Sequence, residues 1–141
     1  MAAKKTKAST PSKYTYAVGR RRSASARVRL HKGKDQNEVN GQPIGKYFPG
    51  KVMTDAWEQP FDLTDTKGKY YVTVKVSGGG KNGQLDATVH GIARAFSKLD
   101  KEKFRAPLKK AGLLTRDPRV RERRKPGTGG RARKQKQSPK R

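Results

Sequence analysis

Tyr14, Tyr16 and Val18 alternate with small or polar residues, a period of two that predicts a half-buried strand broken by Gly19. A second strand follows, with Ala24, Ala26, Val28 and Leu30 on one face and Ser25, Arg27, Arg29 and His31 on the other. Lys32-Gly33-Lys34-Asp35 and Asn40-Gly41 are turn chemistry, and Glu38 to Asn40 reads as a short strand between them. Pro43 suits the first turn of a short helix that reaches Phe48 and ends at Pro49-Gly50. Lys51 to Glu58 reads as another, with Val52, Met53, Ala56 and Trp57 as its apolar side and Gln59-Pro60 closing it. Tyr70, Val72, Val74 and Val76 form the clearest strand of the chain. Beyond a glycine-rich stretch, Leu85, Val89, Ile92, Phe96 and Leu99 recur at helical spacing, so the longest helix runs from Gln84 to about Leu99 and that stripe is core. Asn82 is its expected N-cap, and His90, Arg94 and Lys98 share the opposite, exposed face. A last helix, about Lys103 to Ala111, buries Phe104 and Leu108 and stops at Gly112.

The periodicity then ends. Residues 115–141 hold twelve Arg and Lys against Asp117 and Glu122, a net of +10, and Val120 is their only large apolar side chain. So little apolar surface cannot offset the entropy of ordering the segment, so it is expected to be mobile until a polyanion orders it. Fully extended, it spans at most roughly 90 Å at about 3.3 Å per residue. Three parts follow: a flexible basic arm over residues 1–13, a globular domain over 14–114 and an extended basic tail over 115–141.

Charge carries the same message for the whole chain, which has 141 residues and a net charge of +25. A basic domain with a basic tail predicts nucleic acid as the partner, ahead of an anionic membrane surface. No apolar run approaches the roughly 20 residues of a membrane span, and no hydrophobic segment opens the chain, so no membrane partner is expected. The absence of cysteine excludes disulfides and thiolate-held zinc and fits a reducing compartment. The start, MAAKKTKASTPSK, is basic and acid-free like a transit peptide but lacks Arg and an amphipathic period. A cytoplasmic location is therefore expected before an organellar stroma or matrix.

Candidate chemistry is sparse. Gly78, Gly80 and Gly83 satisfy G-x-G-x-x-G between a strand and a helix, and Asp100 follows at about the right distance. That acid sits at a helix end, however, and no second β-unit follows, so the glycines read as a flexible connection whose amides suit an RNA phosphate. His31 and His90 stand in different elements with no metal-ligand spacing. Asp55, Glu58, Asp62 and Asp65 are explained by capping and solubility. No catalytic set, metal or cofactor is indicated, and the chain is expected not to be an enzyme. The residues expected to meet phosphate are Arg20, Arg21, Arg22, Arg27, Arg29, Lys81 and Arg94 in the domain, with Arg116, Arg119, Arg123, Arg124, Lys125, Arg131 and Arg133 in the tail.

Several stretches resemble one family. They are Val18-Gly19-Arg20-Arg21-Arg22-Ser23 with Ala26-Arg27-Val28, Val39-Asn40-Gly41, Tyr47-Phe48-Pro49, Val76-Ser77-Gly78-Gly79-Gly80, His90-Gly91-Ile92-Ala93-Arg94-Ala95, and Gly112-Leu113-Leu114-Thr115-Arg116-Asp117-Pro118-Arg119 with Glu122-Arg123-Arg124-Lys125. In order and spacing they look like the ninth family of universal small-subunit ribosomal proteins, in its bacterial and organellar form, from about Tyr14 onward. The resemblance implies an α+β domain with a mixed four-stranded sheet, similar to the second domain of the fifth small-subunit protein and with its left-handed crossover. It implies a place in the small-subunit head on the 3′ major domain of the ribosomal RNA, beside other head proteins. It also implies a tail whose last residues, here Lys140 and Arg141, touch the anticodon stem-loop of P-site tRNA. Two departures stand out. Pro139 interrupts a Ser-Lys-Arg ending, and Gly83-Gln84-Leu85-Asp86-Ala87 replaces Gly-Gln-Ala-Gly-Ala. The rival reading is a non-ribosomal nucleic-acid chaperone or architectural binder. RNA favours the first, because RNA helices close their deep groove to side chains and this chain has arms but no helix-turn-helix.

Overall fold

The fold is that of a computed structural model, which describes residues 13–127. Strands β1 (Tyr14–Arg21) and β2 (Ala24–Lys32) form a hairpin closed by Arg22 and Ser23, with Arg22 at φ 54°. β3 (Glu38–Val39) and β4 (Gln42–Pro43) form a second, minimal hairpin around Asn40 and Gly41, whose φ values of 51° and 78° are what a tight two-residue turn needs. β5 (Tyr70–Ser77) pairs antiparallel with β2 and parallel with β3, giving the order β1-β2-β5-β3-β4. The sheet is therefore mixed, as the resemblance implies. It has five strands where four were expected, because Asn40-Gly41 folds Gln42–Pro43 back onto Glu38–Val39.

The helices are α1 (Ile44–Tyr47), α2 (Lys51–Leu63), α3 (Gly80–Leu99) and α4 (Lys101–Lys110). They bury the sheet face made by Ala26, Val28 and Leu30 of β2 with Val72, Val74 and Val76 of β5. Phe96 of α3 is the hub of that core. The rings of Phe61, Tyr70 and Phe104 meet it edge-on at centroid distances of 5.3, 5.8 and 5.6 Å.

In β1 the expected parity is inverted. Tyr14 and Tyr16 are 37% and 39% exposed, whereas Ala17 and Gly19 face the helices. Register forces this outcome: Ala17 pairs with inward-facing Val28 and Gly19 with inward-facing Ala26, so the tyrosines must point the other way. Nor does Gly19 end the strand. A Cβ there would lie 1.8 Å from the Ala87 carbonyl oxygen and 2.4 Å from the Gly91 nitrogen, so the glycine lets α3 lie directly on β1.

Two helix boundaries also differ. α2 continues through Pro60 to Leu63, because Trp57, Pro60 and Phe61 are all buried and their packing outweighs the backbone hydrogen bond that proline forfeits. Thr64 then stops it, donating its hydroxyl to the Pro60 carbonyl at 2.8 Å. α3 starts four residues early, with Gly79 in a left-handed conformation as N-cap, so Asn82 lies inside the helix and caps nothing.

Candidate nucleic-acid interface

β1 is an edge strand, and α3 closes its open side. Residues four apart on a helix share a face, and residues two apart on a strand turn their backbone groups the same way. His90, Arg94 and Lys98 therefore meet Arg20, Val18 and Tyr16 in antiparallel order. The His90 Nδ1 accepts from the Arg20 backbone N–H at 3.5 Å, Arg94 donates to the Val18 carbonyl, and Lys98 Nζ donates to the Tyr16 carbonyl at 3.2 Å. These side chains cover the edge that would otherwise pair with another chain. The face expected to be free of the body is thus tied to it. His90 Nε2 lies 3.4 Å from the Leu114 carbonyl, which fits a neutral ring carrying its proton there. Burial lowers the His90 pKa against the pull of that carbonyl, and Arg94 and Arg116 lower it further.

Arg21 occupies a different environment from its neighbours. Its side chain is 11% exposed and lies between two carboxylates, Asp86 Oδ2 at 3.5 Å and Asp117 Oδ2 at 3.3 Å. It also donates to the Arg119 carbonyl at 2.9 Å. Asp117 is in turn held by the Arg119 side chain at 2.7–3.0 Å and by the Arg119 backbone N–H at 3.0 Å. Bonding from the Arg119 side chain first, then from its backbone N–H, and then the charges of Arg119 and Arg21, hold the Asp117 carboxyl well below the usual carboxylate range. The tail's first residues are thereby docked on the domain, in a groove lined by β1, α2 and α3 residues. Asp86, one of the two departures from the family's helix start, supplies one of the carboxylates.

The remaining cations divide into two groups. Arg20, Arg27 and Arg29 are exposed on the sheet face away from the helices, and Arg22 is exposed at the hairpin tip. Lys81, on the first turn of α3, donates to the Tyr47 carbonyl at 2.7 Å and lies 4.3 Å from the centre of the Tyr47 ring. Arg116 is exposed within the docked segment, and Arg123, Arg124 and Lys125 are exposed beyond it. Arg131, Arg133, Lys140 and Arg141 lie outside the described residues.

The glycine run has a packing role. Gly78 and Gly79 adopt φ of 73° and 74°, and Cβ atoms there would come within 2.9 Å of the Ser23 carbonyl oxygen and 2.8 Å of Ala24. They let the α3 N-terminus press against the β1–β2 turn beside Arg22. Asp100 caps α4, accepting from the Lys103 N–H at 3.2 Å. Among the described residues no cluster of His, Asp or Glu could hold a metal ion, and no helix is long and apolar enough to cross a membrane.

The Arg21 latch and the edge-covering trio were missed from sequence. The spacing of His90, Arg94 and Lys98 was a usable signal for the trio, but nothing local pairs Arg21 with Asp117. The fold, the cation-bearing face and the docked basic tail agree with a comparison against protein families, in which the model for ribosomal protein S9/S16 matches residues 19–141. The chain therefore belongs to the ribosomal protein S9/S16 family and is a structural, rRNA-binding constituent of the small ribosomal subunit.

Proposed function

We propose that the domain sits in the head of the small subunit, on the 3′ major domain of its RNA and beside other head proteins, and that its tail runs to the decoding region. There Lys140 and Arg141 touch the anticodon stem-loop of P-site tRNA, gripping phosphate and not reading bases. The phosphate contacts of the body are Arg20, Arg22, Arg27 and Arg29. Lys81, Arg94 and Arg21 act through the body's own carbonyls and carboxylates, and no catalytic step is assigned to any residue.

The observation that carries this reading is the latch from Arg21 to Asp117 and Arg119. It fixes the point from which the tail departs and so bounds the region that a cationic segment can reach. The 22 residues beyond Arg119 have a contour of at most about 70 Å. Deleting Lys140 and Arg141 tests the proposal. Subunit assembly should be unchanged, because the body and Arg119 to Lys125 keep their cations, and P-site tRNA affinity on assembled subunits should fall about tenfold, near 1.4 kcal/mol. Unchanged tRNA affinity would refute the contact.

A further inference from the structure

Among the described residues, none covers the sheet face opposite the helices. Its outward residues on β1, β2 and β5 stand in cross-strand rows set by the register: Tyr14, His31 and Tyr71, then Tyr16, Arg29 and Thr73, then Val18, Arg27 and Lys75. None of these residues is acidic, and the nearest strand carboxylate is Glu38, beside Thr73 on β3. The first row is closed on itself. His31 stacks on Tyr71 at 4.8 Å and 12°, Tyr14 leans on His31 at 5.6 Å, and the Arg29 guanidinium lies 5.1 Å from the centre of the Tyr14 ring.

Tyr16 differs from Tyr14 and Tyr71. Tyr16 is 39% exposed as a residue, and among the described residues no ring or cation stacks on it. It borders a shallow groove of about 390 Å³ that it shares with Tyr14, Arg27, Arg29, Thr73 and Lys75. A merely solvated face would not need three tyrosines and a histidine. An aromatic ring beside cations is how proteins hold unpaired nucleotides, with the base on the ring and the backbone on the cations. Base-paired RNA cannot use such a ring, since its bases already stack on one another. A protein partner fits the face less well, because Glu38 at its β3 margin is a single carboxylate against Arg27, Arg29 and Lys75, a cationic excess that suits a polyanion.

We propose that this face binds an unpaired RNA segment, with a base stacked on Tyr16 and the adjoining phosphates on Arg27 and Lys75, one row or about 7 Å further along the strands. The inference rests on the rRNA-binding reading and specifies its mode.

The test uses the full chain and three probes of equal charge: a short single-stranded RNA of mixed sequence, the same oligomer with abasic riboses, and a duplex. The tail binds all three by charge, so the readout is the ratio of affinities for base-bearing and abasic strands. In the unaltered protein the ratio should be about ten. Tyr16→Leu should bring it close to one, and Tyr16→Phe should keep it, since stacking needs the ring and not the hydroxyl. Lys75→Ala should weaken both single strands equally. A ratio near one in the unaltered protein, or a ratio that Tyr16→Leu leaves unchanged, would overturn the proposal. So would a preference for the duplex. Association of the unaltered protein with small-subunit rRNA is measured alongside. If it persists while the ratio is one, only the stacking site fails; if it is absent, the rRNA reading fails and the site with it.

Discussion

Gly19 and Gly91 face each other across the β1–α3 contact with no side chain between them. A Cβ on Gly91 would stand 2.6 Å from Val28 Cγ2 and 3.1 Å from the Gly19 nitrogen, and a Cβ on Gly19 would stand 2.4 Å from the Gly91 nitrogen. Only with both glycines present does α3 lie close enough for His90, Arg94 and Lys98 to reach the backbone of β1. Gly19→Ala should therefore cost at least about 3 kcal/mol, since its obstacles are backbone atoms that cannot rotate away. Gly91→Ala should cost less, because part of its clash is with a valine methyl. Chemical denaturation of the two variants measures both, and a Gly19→Ala protein of unaltered stability would contradict the close approach.

The latch makes a separate prediction. Arg21→Ala should free residues 115–119 while leaving the domain folded, at a cost of about 1–2 kcal/mol for the lost packing and the lost bond to the Arg119 carbonyl. Both carboxylates are partly exposed and rehydrate, which keeps the cost modest. Asp86→Gly, which restores the family's usual residue, should cost less than about 0.5 kcal/mol, because Asp86 is 60% exposed and its pair is screened. Hydrogen exchange at the Arg119 amide, which donates to Asp117, reports the docking directly. Equal protection in the unaltered and Arg21→Ala proteins would count against the latch.

Both histidines predict the same pH response. Burial holds the pKa of His31 below its ordinary value, with Arg29 lowering it further against Asp35, and burial likewise lowers that of His90. The unfolded chain then binds protons more readily than the folded one. The stability that the neutral rings contribute is complete above about pH 6.5 and is lost as pH falls through the folded values. Melting temperature should decline from pH 7 to 5, and less so in His90→Gln. A stability that rises over that range would contradict the burial of these rings.

Salt should separate the exposed cations from the occupied ones. Binding to RNA should weaken on a log–log plot by roughly 0.7–0.9 per phosphate contact. Arg27→Ala and Arg22→Ala should each flatten that slope by about one contact without changing stability. Arg94→Ala should destabilise the domain, because its guanidinium bonds the Val18 carbonyl, and should change the slope little. Titrations at several ionic strengths, with thermal melts of the same variants, distinguish the two classes.

Much of this molecule is legible in local pattern. The Asn40-Gly41 turn, the strands around Val28 and Val74, the Leu85–Ile92–Phe96 stripe and the polyanion-seeking tail all follow from residue type and spacing, because turn geometry, amphipathic period and charge density are properties of short segments. Tertiary contact decided the rest. Alternation along β1 shows that neighbouring residues face opposite ways, but only the pairing with β2 sets which set faces inward, and it turned Tyr14 and Tyr16 outward. Gly19 looks like a break until a helix is laid on it. Proline 60 looks like a stop until its burial beside Trp57 and Phe61 is seen. Arg20, Arg21 and Arg22 are chemically identical and consecutive, yet one lies on the open sheet face, one between Asp86 and Asp117, and one at a turn. Charge is written in the sequence, but whether a cation faces a solvent-borne phosphate or one of the protein's own carboxylates depends on which distant segments the fold brings beside it.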